Sequence, residues 1–236
     1  FLTQRRDDIF LISKGLVGLE LAPGQDLTPA EARAGAKAWE TRLDESLQAL
    51  GVGQVDAYYV MAANNAALIQ SDEILAAAEK AKQAGKMRFL GLSTHQNQQG
   101  VLEAAMKTGQ YSLAMIAVTP AGWYDWENKG IAQGTEPMTK LQPFLARLRD
   151  AGIGLVGMKA GRYLAGRPWF MPFVSRPDAF NDYYDKELLA AKLSAFQRSY
   201  AYVLEHGLDV VNADMQSVAH LQENVVAAAT APSYFA

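Results

Sequence analysis

The sequence contains no cysteine among its 236 residues. This absence excludes a disulfide framework, a zinc site built on thiolates and a cysteine nucleophile. It does not indicate a compartment, because a chain without cysteine suits reducing and oxidising surroundings equally. The three histidines, His95, His206 and His220, are far apart in the sequence, so no metal site is predicted.

Long apolar runs and an excess of one charge are also missing. No apolar segment approaches the ~20 residues that a membrane-spanning helix needs, and no signal peptide is recognisable. The formal net charge is only −3, with acidic and basic residues scattered along the chain. Neither a membrane nor nucleic acid is therefore predicted as a partner. We expect a soluble cytoplasmic protein, with export as the alternative if a segment before Phe1 carries a signal.

Familiar nucleotide and hydrolase motifs are absent as well. The sequence has no GxGxxG fingerprint, no P-loop, no GxSxG elbow and no internal repeat. It does have a half-apolar composition, which is sufficient for one large core. Predicted strands start near residues 9, 55, 87, 112, 153 and 208, and a helix follows each one. This alternation predicts a parallel sheet with its chemistry at the carboxyl ends of the strands.

Local signals define several elements within this pattern. A helix is predicted to begin after Thr28, which can form a capping box with Glu31, and to end at Gly51. The segment from Thr119 to Thr135 is interpreted as a long loop that exposes aromatic side chains, among them Trp123 and Tyr124. Such a loop either covers a ligand or packs as a lid on the protein itself or on a partner.

Three segments carry a resemblance to a known family. Residues 85–95, GKMRFLGLSTH, resemble the "GkiraiGvSn" strand and loop of the aldo-keto reductases. Residues 46–61, SLQALGVGQVDAYYVM, resemble the family's "SLkrLgldyvDlyliH". Residues 211–228, VNADMQSVAHLQENVVAA, resemble its last strand and helix, "ipGmrsveqleENv.A". The resemblance extends over almost the whole chain and begins at the family's third strand.

The resemblance implies the fold and the domain organisation. We expect an α/β fold, a TIM (β/α)8 barrel of aldo-keto reductase type, with six of its eight βα units in this chain. Residues 1–236 would form a single barrel domain. The first two units, which carry the family's catalytic aspartate and tyrosine, would lie upstream of Phe1, unless the protein lacks them.

The catalytic positions implied by the resemblance are Lys14 and Met61. Lys14 matches the catalytic lysine that closes the family's "vfiaTK" strand, whereas its position alone favours a charge that ends the strand in solvent. Met61 stands where relatives have a histidine that polarises the carbonyl. A thioether donates no hydrogen bond, so this contribution to catalysis is lost. Asn64 and Asn65 follow closely, either as replacement donors or as ordinary loop residues.

The resemblance also implies a cofactor site for NAD or NADP. Ser93 and Thr94 follow the strand that meets the nicotinamide, and Met115 replaces a glutamine that binds its carboxamide. Further implied contacts with the cofactor come from Met158, Lys159, Arg162, Asp214, Glu223 and Asn224. Asp214 and His220 fall near the adenosine ribose. Because a carboxylate repels a 2′-phosphate and accepts from a free 2′-hydroxyl, NAD is favoured over NADP.

Three functions remain open at the level of sequence. The first is an NAD(P)H-dependent reductase that transfers hydride to a small-molecule aldehyde or ketone, with His95, Trp123 and Tyr124 near the substrate and with some catalytic groups lost. The second is an inactive barrel that binds a protein partner or forms a homo-oligomer. The third is a Schiff-base lyase that uses Lys14 or Lys159.

Overall fold

The computed structural model describes residues 4–164, 176–213, 215 and 217–235, with side chains up to residue 229. The strands are β1 (Ile12–Gly15), β2 (Val55–Val60), β3 (Met87–Thr94), β4 (Leu113–Thr119), β5 (Gly122–Asp125), β6 (Gly130–Ile131), β7 (Gly154–Met158) and β8 (Val210–Val211). The helices are α1 (Pro29–Leu50), α2 (Ala66–Ile69), α3 (Asp72–Gln83), α4 (Gln98–Thr108), α5 (Met138–Asp150), α6 (Lys186–Ala190), α7 (Ala195–Glu205) and α8 (Val218–Phe235). These elements form two compact units.

The first unit comprises the described residues up to Met115 together with Asp150–Gly154. Its longest helix, α1, begins at the predicted capping box. The Thr28 hydroxyl accepts from the Glu31 amide, and the Glu31 carboxylate accepts from the Thr28 amide at 2.9 Å. The helix ends at Gly51, whose φ of 66° is left-handed. The predicted start and end of this helix are therefore confirmed, because both depend on local backbone chemistry.

Strands β1, β2 and β3 form a parallel ladder in this unit. Ile12 pairs with Ala57, and Val55 with Met87. Among the described residues, β1 pairs with β2 alone. The predicted strand start at Ile9 is wrong by three residues, because the Leu11 amide donates to the side-chain carboxylate of Asp56 at 2.8 Å and not to a backbone carbonyl of β2.

Helix α1 packs on one face of this ladder. Trp39 of α1 is fully buried and meets Tyr58 edge-on, with ring centres 5.1 Å apart. The Trp39 indole nitrogen also donates to the Tyr59 carbonyl at 3.3 Å. This face of the sheet is therefore packed against α1. The opposite face of β2 is buried as well, because Ala57 and Tyr59 are both fully buried there.

The second unit comprises Ile116–Arg149 and the described residues from Leu155 onward. Strands β7 and β8 pair in parallel, with Val156 opposite Val210. The Asp209 carboxylate accepts from the Leu155 amide at 2.7 Å and secures the start of that pairing. Helix α7 ends at Glu205, and Gly207 follows with a φ of 115°.

The segment predicted as a long loop, Thr119–Thr135, contains an antiparallel hairpin. Strand β5 pairs with β4 through Val118 and Trp123, and with β6 through Tyr124 and Ile131. The predicted loop is therefore corrected to a hairpin of two short strands. Gly122 makes the tight return possible, because its φ is 111° and a β-carbon there would lie 2.1 Å from the Glu136 carbonyl oxygen.

The described residues include no helix long and apolar enough to cross a membrane. Within that same part of the chain, no three histidine, aspartate or glutamate side chains converge as metal ligands. Strand and helix alternate along both units, and the βα ladders pair in parallel. The chain is therefore an α/β protein.

Candidate active site

The first unit brings several predicted residues together on one face of the ladder. A β-carbon on Gly15 would lie 2.4 Å from the Tyr58 hydroxyl and 2.8 Å from the Arg42 β-carbon, so Gly15 faces α1. Because side chains alternate along a strand, Lys14 faces the opposite side. Lys14 is exposed and stands in register with Tyr59, which in turn stands opposite Gly91.

Met61 and Ser93 lie one step further along the same face. The Met61 amide donates to the Gly15 carbonyl at 2.9 Å, and the Ala63 amide donates to the Ser93 carbonyl at 2.9 Å. These bonds bring the carboxyl ends of three strands side by side. Met61 is half-buried, and its thioether leaves this position without a strong hydrogen-bond donor.

Ser93 has the clearest signature of a binding group in this unit. Its hydroxyl is fully buried and has no hydrogen-bond partner among the described residues. Thr94, by contrast, donates to the Gln96 carbonyl at 2.8 Å and supports the turn. His95 is half-buried beside them. A buried hydroxyl without a partner costs free energy, which a ligand that bonds to it would recover.

The two asparagines after Met61 act on the backbone of a loop. Asn64 donates to the Leu21 carbonyl at 2.9 Å, and Asn65 donates to the Ala22 and Gln25 carbonyls, each at 2.8 Å. Both amide groups thus hold the segment that precedes α1. This geometry favours the structural interpretation of these residues over replacement donors.

Tyr59 was missed by sequence reasoning. Its side chain is fully buried, its ring lies on Gly91, and its hydroxyl has no partner among the described residues. Burial raises the pKa of this phenol, so it stays protonated. The available signal was strand alternation, because Tyr59 lies two residues before Met61 and shares its face.

The second unit holds the predicted residues that follow β7. Met158 is buried at the end of the strand, and Lys159 adopts a left-handed φ of 73° directly after it. The Lys159 ammonium lies 4.5 Å from the centre of the Trp126 ring. Arg162 is exposed three residues later. Two cationic side chains therefore follow this strand, and side chains of this charge are the ones that bind anionic ligands.

The aromatic side chains of the hairpin were expected to be exposed, and for Trp123 and Tyr124 this expectation is wrong. Trp123 is 8% exposed and packs edge-on against Phe144, and Tyr124 is 1% exposed. Burial raises the pKa of Tyr124. Trp126, at 44% exposure, is the aromatic residue of this hairpin that reaches solvent. The burial of Trp123 follows from its packing against Phe144 of α5, and the sequence of the segment alone does not indicate this contact.

Two of the remaining cofactor positions, Glu223 and Asn224, lie on α8 together with His220. The Glu223 carboxylate accepts from the Ser194 hydroxyl, and the Glu223 carbonyl accepts from Gln197 at 3.1 Å, so this residue is tied to the start of α7. Asn224 is half-exposed and His220 is exposed. Asp214 lies outside the described residues, and Met115 is buried in β4.

Each unit by itself carries groups that suit one part of a nicotinamide dinucleotide. In the first unit, the unpartnered Ser93 hydroxyl suits an amide such as the nicotinamide carboxamide. In the second unit, Lys159 and Arg162 supply the positive charge that a pyrophosphate needs. The structure tests neither contact, and both stay predictions.

An α/β chain in which candidate polar groups follow parallel strands has the organisation of the barrel-type folds, whose sites lie at the carboxyl ends of the strands. The sequence model of the aldo/keto reductase family matches residues 1–132, more than half of the chain. The chain therefore belongs to the aldo/keto reductase family. A comparison with curated protein sequences finds no match.

Solved aldo-keto reductases share the fold. An enzyme from Klebsiella pneumoniae in complex with NADPH has 16% identity and a TM-score of 0.62 over 99% of this chain and 72% of its own. The holo form of an aldo-keto reductase from Bacillus halodurans has 19% identity and a TM-score of 0.59, with 96% and 68% covered. One from Brucella melitensis has 19% identity and a TM-score of 0.54, with 93% and 66% covered. The fold is thus of the TIM-barrel type, and the chain spans about two thirds of these proteins.

Proposed function

We propose that this protein is an NAD(P)H-dependent reductase that transfers hydride to the carbonyl carbon of an aldehyde or ketone. The observation that carries the proposal is the buried Ser93 hydroxyl without a partner among the described residues, at the carboxyl end of β3. Family membership supports the same activity. Use of a nicotinamide cofactor also favours the cytoplasm as the compartment.

The bound cofactor would supply the hydride, and this chain's residues would position it. Ser93 would bind the carboxamide of the nicotinamide, Met158 would pack beside its ring, and Lys159 with Arg162 would bind the pyrophosphate. Glu223 and Asn224 would contact adenine. The adenosine ribose would lie near Asp214, which favours NAD over NADP because a carboxylate repels the 2′-phosphate. Thr94 and Met115 would make weaker contacts with the nicotinamide.

The carbonyl oxygen needs a proton as the carbon receives hydride. Lys14 would act through its positive charge, which stabilises a phenolate and so lowers the pKa of a neighbouring tyrosine donor. We propose that this tyrosine belongs to βα units that precede Phe1 in the full protein and complete a single barrel domain. The edge of β1, paired with β2 alone among the described residues, supports such units. His95 would contact the substrate at the same rim.

The test is a titration with NADH and NADPH followed by tryptophan fluorescence. We expect Ser93→Ala to weaken cofactor binding about fivefold, since one hydrogen bond to a buried partner is worth about 1 kcal/mol. Ser112→Ala, directly before the amino end of β4, is the matched control and should bind as the parent does. Absence of binding at millimolar concentrations of both cofactors would overturn the proposal.

A second candidate is an inactive barrel that serves as a binding or assembly subunit. Met61 and Met115 favour it, because each replaces a polar group of the family with a thioether. In this case the protein would elute with a partner or as a homo-oligomer and would leave the fluorescence unchanged with either cofactor. Cofactor binding together with oxidation of NAD(P)H by an aldehyde would exclude it.

A further inference from the structure

The second unit contains a cavity of about 580 Å³ that none of the contacts proposed for the cofactor uses. This volume lies within the range of small-molecule sites, which is about 300–1,000 Å³. Aromatic rings and charged groups share its wall. The side chains that carry the argument below are Tyr163, Arg176, Asp178, Phe180, Asp182 and Tyr183.

One wall of the cavity, residues 178–183, is held by consecutive turns. The Asn181 amide donates to the Asp178 carbonyl at 3.0 Å, and the Tyr183 amide donates to the Phe180 carbonyl, also at 3.0 Å. Phe180 is fully buried, and its ring centre lies 6.1 Å from that of Tyr163. A ligand would therefore meet a wall that is already formed, and binding would require little ordering of the chain.

The aromatic wall already accepts a cation from the chain itself. The Arg176 guanidinium lies 5.5 Å from the centre of the Tyr163 ring and donates to the Tyr163 hydroxyl at 2.9 Å. Such a contact indicates that this ring attracts positive charge. The carboxylates of Asp178 and Asp182 outnumber this one guanidinium in the lining, so the cavity as a whole is negative.

The cavity is also lined by residues that follow the carboxyl ends of two strands. Ala121 comes shortly after Thr119, the last residue of β4, and Tyr163 lies in the turn after β7. Ile131 of the hairpin adds an apolar contact. Loops at the carboxyl ends of strands are the segments that bind substrates in barrel-type folds.

We propose that this cavity binds an organic ammonium group, so that the carbonyl compounds that the protein reduces carry such a cation. The link to the substrate rests on the proposed reductase function, whereas the binding site itself does not. The rings of Tyr163 and Tyr183 attract the cation through their π-electrons, and the carboxylates of Asp178 and Asp182 compensate its charge.

The balance of charges favours a cation over an anion. An anion in this cavity would be repelled by both carboxylates and could pair only with Arg176, whose guanidinium is engaged with Tyr163. An ammonium ion would be attracted by the two carboxylates and repelled by that single guanidinium. The site therefore selects positive charge on an otherwise apolar group.

Asp182 and Tyr183 are the residues to replace, because both are exposed and their loss spares the core. Asp182→Asn removes the charge, whereas Asp182→Glu keeps it. Tyr183→Leu removes the ring, whereas Tyr183→Phe keeps it. Glu187→Gln is the matched control for the loss of one negative charge, because Glu187 is an exposed residue of α6 that does not line the cavity.

The experiment titrates the protein with choline and with 3,3-dimethylbutan-1-ol, which has the same shape without the charge. Binding is followed by the broadening of the ligand's methyl signal in NMR spectra, without cofactor and at low ionic strength. We expect the parent protein to prefer choline about tenfold, the combined size of a cation–π contact and an exposed ion pair. Asp182→Asn and Tyr183→Leu should each lower this preference to about threefold. Asp182→Glu, Tyr183→Phe and Glu187→Gln should keep it.

Three results would overturn the inference. The first is equal affinity for the two alcohols. The second is an unchanged preference for choline in both Asp182→Asn and Tyr183→Leu. The third is a loss of preference in Glu187→Gln as large as that in Asp182→Asn, because this would assign the effect to the general charge of the surface.

The aldehydes of the same pair, trimethylammonioacetaldehyde and 3,3-dimethylbutanal, separate this inference from the proposed function. A lower KM for the cationic aldehyde, lost in Asp182→Asn, would support both. A preference for choline that depends on Asp182, without oxidation of NADH or NADPH by either aldehyde, would keep the cation site and reject the reductase. Oxidation of the cofactor by the neutral aldehyde, without a preference for choline, would keep the reductase and reject the cation site.

Discussion

The ring of Tyr59 lies directly on Gly91 of the neighbouring strand. A β-carbon on Gly91 would lie 2.3 Å from two ring atoms of Tyr59 and 3.1 Å from the Leu113 carbonyl oxygen. The two residues are opposite each other in the β2–β3 register. Gly91 is thus required by packing, since the space of a methyl group is already taken by the phenol ring.

Gly91→Ala should therefore destabilise the protein by about 1–3 kcal/mol, as overpacked cores do. Gly53→Ala is the matched control, because a β-carbon there meets nothing within 4 Å. Urea unfolding measures both variants. If Gly91→Ala were as stable as Gly53→Ala, the close contact with Tyr59 would be refuted. Adding Tyr59→Leu to Gly91→Ala should recover part of the loss.

Tyr59→Phe should leave stability unchanged or raise it by about 1 kcal/mol. The Tyr59 hydroxyl is buried without a partner among the described residues, so its removal abolishes a desolvation cost and breaks no bond. Thermal unfolding measures the change. A clear loss of stability or of cofactor binding in Tyr59→Phe would instead indicate that the hydroxyl has a ligand or a water as its partner.

Asp56 should govern the stability of the first unit in acid. Burial opposes its charge, but the Leu11 amide and the guanidinium groups of Arg6 and Arg88, at 2.8 and 2.9 Å, hold its pKa below the ordinary value of 3.8. The folded pKa lies below the unfolded one. The stabilisation is therefore complete above about pH 4 and is lost as the pH falls through the folded pKa.

Asp56→Asn tests this dependence. We expect it to cost about 2 kcal/mol at pH 7, the scale of hydrogen bonds to a charged group, and much less at pH 2. Asp44→Asn is the control, because Asp44 is more than half exposed in its ion pair with Lys86. Urea unfolding from pH 2 to 7 measures both variants. A loss in Asp56→Asn that did not vary with pH would contradict the assigned role.

Asp125→Ala should loosen the hairpin tip around Trp126. The substitution removes three hydrogen bonds that the carboxylate accepts within the turn, each worth about 1 kcal/mol at most in an exposed position. We expect faster ring motion of Trp126, seen as lower fluorescence anisotropy once the other tryptophans are replaced by phenylalanine. Asp26→Ala, in the exposed loop before α1, should leave the anisotropy unchanged.

Part of this fold could be predicted from sequence because the signals are local. The start of α1 at Thr28 and its end at Gly51 depend on hydrogen bonds within four residues, and both predictions are confirmed. Strands β2, β3, β4 and β7 begin within a residue of their predicted starts, since each is a short apolar run bounded by turn residues. The family resemblance is likewise confirmed by the match over residues 1–132.

The candidate site could be predicted only as a set of strand ends. Lys14, Met61 and Ser93 were expected near the carboxyl ends of their strands, and hydrogen bonds between these ends bring the three together. The roles of these residues stay predictions. Their surroundings could not be predicted, because the unpartnered state of the Ser93 hydroxyl depends on every neighbour that fails to reach it.

The sequence by itself determined the alternation of the main strands and helices, the boundaries of α1 and the family, because these follow from apolar periodicity, backbone capping and motif spacing. Only the tertiary structure decided which side chains are hidden and which meet. Trp123 is buried by α5 while Trp126 stays exposed three residues later. Gly91 is required by Tyr59, thirty-two residues away, and Lys159 reaches an indole on a distant hairpin. Such contacts join segments far apart in the chain, so no local pattern encodes them.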